Sequence, residues 1–66
     1  MKSLKTVYDV RNLLKRYGIF IYTGNRVGDL ELMEIEVRDL YEAKLIDIST
    51  FQNAVLLLRN EKTNLI

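Results

Sequence analysis

The sequence predicts an all-α fold, a small three-helix bundle with an ordered glycine-bracketed loop between its first and second helices. Three observations predict it. Apolar residues recur at helical spacing in three separate segments. Sixty-six residues suffice for one hydrophobic core and not for two, so residues 1–66 read as one helical domain. The glycine-flanked run of β-formers, Ile19-Phe20-Ile21-Tyr22, has no second strand to pair with.

The first helix is expected at about residues 3–17. Leu4, Val7, Val10, Leu13, Leu14 and Tyr17 fall on one face. Ser3 or Thr6 can cap its start, Gly18 stands where a left-handed residue would stop it, and Lys15 and Arg16 suit the negative end of its dipole. The loop that follows should pack Ile19 or Ile21 into the core and turn at Gly24-Asn25, where both residues tolerate positive φ.

A second helix is expected at about residues 29–44, with Leu30, Met33, Val37, Leu40 and Tyr41 inward, Asp29 as its cap, and Arg38 within reach of Glu34 and Glu42. Ser49 and Gln52 form the sequence signature of a capping box. It predicts a third helix at about residues 50–60 with Phe51, Ala54, Val55 and Leu58 inside, fraying near Asn60 and leaving residues 61–66 loose. Tyr17 and Tyr41 lie on the inner stripes and read as core rings with hydroxyls directed to a partner or the surface.

Composition excludes most chemistry. With no cysteine and no histidine, zinc and haem ligation, thiol catalysis and imidazole acid–base catalysis are absent, and no serine or threonine has a neighbouring base. No enzyme, cofactor, metal site or small-molecule substrate is expected. Gly24-x-x-x-Gly28 is neither a P-loop nor a dinucleotide fingerprint, because no strand precedes it and no Lys-Ser/Thr follows. No signal segment or long apolar run is visible, so a soluble cytoplasmic protein without a membrane partner is expected.

The net charge of +1 conceals a segregation of sign. Residues 1–28 hold six basic residues against one acidic, a net of +5; residues 29–48 hold two against seven, a net of −5. Either the two blocks attract each other within the fold, or one of them faces a partner.

Projected at ~100° per residue, Tyr8 lies nearly opposite the apolar stripe of the first helix, among Lys5, Arg11 and Lys15. Bases stack on aromatic rings while cations neutralise phosphates, so this face is a candidate for single-stranded RNA or DNA. Arg16 at the helix end, and Tyr22 and Arg26 on the loop, would extend it. The alternative is that Tyr8 covers the loop or the third helix and the lysines are only solvated. Leu32 and Ile35 on the second helix, and Leu56 and Leu57 on the third, point away from the core. Either Phe20 and Ile21 of the loop cover the second-helix pair, or the exposed residues, Leu32, Ile35 and Leu56 above all, form an interface with another protein or a second copy.

A family resemblance joins these readings. Tyr8-Asp9-Val10, Leu13-Leu14-Lys15, Tyr17-Gly18, Ile21-Tyr22, Gly24, Arg26, Glu31-Leu32-Met33, Glu36, Leu40-Tyr41, Ala54, Leu57-Leu58-Arg59 and Glu61 resemble the YqgQ-like family of small proteins from Gram-positive bacteria. The resemblance spans residues 7–61. It implies a three-helix fold, a cytoplasmic location, no known catalytic activity and, as a suggestion made for that family, single-stranded nucleic-acid binding. It supplies no site residues. In the family pattern a small residue is common near the position of Lys44, and some members carry a longer tail; this chain has neither.

Overall fold

The computed structural model describes residues 4–65 and contains three helices in chain order: α1 (Val7–Arg16), α2 (Arg26–Glu42) and α3 (Ile48–Leu65). α2 and α3 run antiparallel, as their ion pairs show. Glu31 meets Lys62 at 2.8 Å and Glu34 meets Arg59 at 3.1 Å, higher numbers on one helix facing lower numbers on the other. Tyr41 and Phe51 stack near the turn with centroids 4.6 Å apart. α1 closes the bundle over the core formed by Val10, Leu14, Leu30, Met33, Val37, Leu40, Ala54 and Leu58.

α1 begins four residues later than expected, and Ser3 lies outside the described residues. Thr6 is the cap: its hydroxyl accepts the Asp9 N–H at 3.2 Å, while the Asp9 carboxylate accepts the N–H groups of Lys5 and Thr6. This reciprocal box satisfies the first donors, so the helix has no need of an earlier start. α2 begins three residues earlier than expected, because Asn25 caps it by accepting the Gly28 N–H at 2.9 Å.

Asp29, predicted as the cap, is instead buried in the first turn. It accepts the Thr23 hydroxyl at 2.6 Å and the Thr23 N–H at 2.8 Å, fastening the loop to α2. These two hydrogen bonds, aided by the charges of Arg11 and Arg26, hold its carboxyl below the ordinary value of 3.8. A carboxylate depressed in the folded state stabilises above its unfolded pKa and loses that contribution as pH falls through the folded one. The thermal midpoint should therefore drop more steeply below about pH 4 in the parent than in Asp29→Asn. Parallel slopes in circular-dichroism melts between pH 6 and pH 2.5 would remove the assignment.

Neither Ser49 nor Gln52 caps α3. The Asp47 carboxylate accepts the Thr50 N–H at 2.7 Å, so the turn closes two residues earlier, and hydrogen bonding from the Thr50 side chain and then its backbone lowers the Asp47 pKa. The far end does not fray near Asn60. α3 runs to Leu65, its last turns tied to α2 by Arg26–Glu61 at 3.3 Å and Glu31–Lys62. The Thr63 hydroxyl also donates to the Arg59 carbonyl at 2.9 Å.

α1 and α2 end in the same motif. At the end of α1, Gly18 N–H reaches Lys15 O and Ile19 N–H reaches Leu14 O; at the end of α2, Lys44 N–H reaches Tyr41 O and Leu45 N–H reaches Leu40 O. Both are Schellman closures, which require a left-handed residue after the cap. Gly18 supplies it at φ +77°, whereas α2 must use Lys44 at φ +63°. A side chain there costs ~1–2 kcal/mol, partly offset by the greater unfolded freedom of glycine. Lys44→Gly should accordingly raise stability by about 0.5–1 kcal/mol, and Gly18→Ala should lower it by about 1 kcal/mol. At roughly 4–8 °C per kcal/mol, thermal melts resolve both signs.

Candidate nucleic-acid interface

The outer side of α1 is built by its periodicity. Once Val10, Leu13 and Leu14 are buried, Tyr8 and Lys15 must lie on the far side, and both are exposed, as is Lys5 just ahead of the helix. Tyr8 is 67% exposed. Arg11, one turn from Tyr8, is half-buried because its guanidinium donates to the Ile21 carbonyl at 3.1 Å. That bond brings the loop against α1 beside Tyr8.

The loop itself alternates. Ile19 and Ile21 pack against the core, while Phe20 and Tyr22 turn outward with 75% and 84% of their surface exposed. Successive side chains of extended backbone point to opposite sides, which accounts for the pattern. Phe20 therefore does not cover Leu32 and Ile35; those two and Leu56 remain exposed. Of the apolar residues thought to point away from the core, only Leu57 packs against it. Phe20 is the residue that sequence reasoning missed, and the Ile-Phe-Ile-Tyr alternation was the signal for it. Leu56 borders a separate recess with Arg38, Gln52 and Arg59.

Tyr8, Arg11 and Lys15 are thus carried by α1 with Lys5 just ahead of it, and the Arg11–Ile21 bond ties the loop segment next to Tyr22 to that helix; Arg26 and Arg16 have other neighbours. Arg26, as the first residue of α2, is engaged by Glu61. Arg16 lines a recess of about 350 Å³ at the end of α1, with Tyr17, Leu45, Asp47 and Thr50 among its walls. The Tyr17 ring is only partly covered, and its hydroxyl donates to the Leu45 carbonyl at 3.1 Å.

The two charge blocks touch at Asp29, which feels the charges of Arg11 and Arg26, but no salt bridge among the described residues joins α2 to α1. Among the described residues the acidic side chains of α2 that form ion pairs do so with Arg38 of α2 itself and with Arg59 and Lys62 of α3, and none with α1. Glu34 holds the Arg59 pKa above its ordinary value. Lys5, Lys15 and Arg16 enter no salt bridge among the described residues. Nor do those residues gather three or more Asp, Glu, His or Cys side chains able to hold a metal ion. None of the helices is long and apolar enough to cross a membrane.

Comparison with known proteins adds two findings. The model of a family described as YqgQ-like matches residues 4–64. The chain is also 36% identical over 58 residues to a protein of Bacillus subtilis (strain 168) described as "Uncharacterized protein YqgQ", an alignment covering 88% of this chain and 82% of that protein.

Proposed function

This chain belongs to the YqgQ-like family, and we propose that it is a cytoplasmic, non-catalytic module that binds single-stranded nucleic acid on the outer face of α1 and the adjoining loop. The observation that carries this reading is the division of charge. α2 directs its ion pairs to itself and to α3, which leaves Lys5 and Lys15 without a salt bridge among the described residues, on the segment that carries the exposed Tyr8 and ahead of the loop that carries the exposed Tyr22. Cations that track phosphates and rings that accept bases are the two components of sequence-tolerant single-strand binding.

The scale of the site follows from the helix. Seven residues of α1 separate Tyr8 from Lys15, which is about 10 Å of helical rise, against roughly 3.4 Å per phosphate in a stacked strand, so about three nucleotides fit. With three cations on phosphates, the slope of log K against log salt should be about −2.

The test is the fluorescence anisotropy of a labelled single-stranded oligonucleotide titrated with protein at low salt. A saturable rise that weakens with salt at about that slope is expected. No change in anisotropy with the protein at high micromolar concentration would end the proposal.

A further inference from the structure

The outer face of α2 carries a stripe that the fold leaves without a neighbour. Leu32 and Ile35 are 42% and 52% exposed. Asp39 and Glu42 continue the same stripe at helical spacing, both exposed and in no salt bridge among the described residues. Glu31 and Glu34, nearer α3, are by contrast held by Lys62 and Arg59. One half of the stripe is apolar and the other anionic.

The outer face of α1 has the complementary character in the same register. Seven residues separate Tyr8 from Lys15, as they separate Leu32 from Asp39 and Ile35 from Glu42. Two parallel helices could therefore set the Tyr8 ring on Leu32 and Ile35 while Lys15 meets Asp39 or Glu42. Pairing α2 with another α2 would instead press together two segments of the same negative charge, which opposes association.

We propose that the outer face of α2 docks onto the outer face of α1 of a second copy of this chain, head to tail. Each copy then keeps one unused face of each kind, so assembly continues as an open chain or closes as a ring. The contact uses the α1 face assigned above to single strands but requires no nucleic acid. The two readings are therefore tested separately.

Sedimentation equilibrium of the full chain, without nucleic acid, decides the matter. At about 50 mM salt the average mass should climb above 7.8 kDa as concentration rises toward millimolar, without levelling at a dimer if the chain is open, and should fall back at about 500 mM salt. Ile35→Glu and Lys15→Glu, both at exposed positions, should each remain folded by circular dichroism and monomeric. Mixed in equal amounts, they should form a 1:1 dimer that grows no further, because each retains the face the other lacks. A parent that stays at 7.8 kDa at low salt, a Lys15→Glu variant that associates like the parent, or a mixture that remains monomeric would each overturn the proposal.

Discussion

Leu14→Ala should cost about 2–5 kcal/mol and leave a substantial fraction of the protein unfolded at 37 °C. Leu14 is buried to 1% exposure and stands in the core cluster with Val10, Leu30 and Met33. Its carbonyl also accepts the Tyr17 and Ile19 N–H groups that close α1, and alanine would preserve those bonds. The loss is therefore one of packing: the transfer free energy of the deleted methyl groups together with the cavity they leave. A domain of this length is stable by only about 3–10 kcal/mol in total, so the fraction lost is large. Urea denaturation should show a lowered midpoint with an unchanged slope. Leu32→Ala, at a site almost half exposed, should change stability by less than about 1 kcal/mol, and a comparable loss at both positions would contradict the assigned core.

Tyr8→Ala should weaken oligonucleotide binding by about five- to 150-fold, the equivalent of ~1–3 kcal/mol of base stacking, while leaving the salt slope as it was. Lys15→Gln should instead change the salt dependence, weakening binding by about five- to tenfold at about 50 mM salt and progressively less as salt rises, with a slope shallower by about 0.7. Tyr8→Phe keeps the ring and should bind like the parent. Because both side chains are exposed, none of these substitutions should shift the thermal midpoint by more than the equivalent of about 0.5 kcal/mol. If Tyr8→Ala binds as tightly as the parent, the ring is not part of the site.

Much of the fold was legible because helical periodicity is a strong signal. Val10, Leu14, Met33, Val37 and Leu58 all reach the core that their spacing implies. The ends of the helices were read less well, since several residues near each end can cap and the sequence does not rank them. Asn25 and Asp29 are both good caps; the choice was made by Thr23, which draws the Asp29 carboxylate inward. Asp47 likewise displaced Ser49. Lys44 carried no local sign of its left-handed backbone, because that conformation is imposed by the two hydrogen bonds closing α2 and not favoured by lysine. At the proposed site, Tyr8 and Lys15 followed from helix geometry. The pairing of Arg26 with Glu61 did not, because Glu61 lies 35 positions away on a segment expected to be loose.

Arg11 is held differently from the lysines beside it. Its partner is the Ile21 carbonyl, a neutral dipole, so the guanidinium is fixed in place while its positive charge stays uncompensated by that contact. A lysine recruited to a phosphate must give up rotamer freedom at the moment of binding, at about 0.5–1.5 kcal/mol for each immobilised side chain. For Arg11 that ordering took place when the chain folded, and the planar fork retains donors that the carbonyl does not use. The bond between α1 and the loop is thus a form of preorganisation: it turns one cation of the face into a rigid element whose attraction, shared in part with the Asp29 carboxylate, is already in position for an incoming anion.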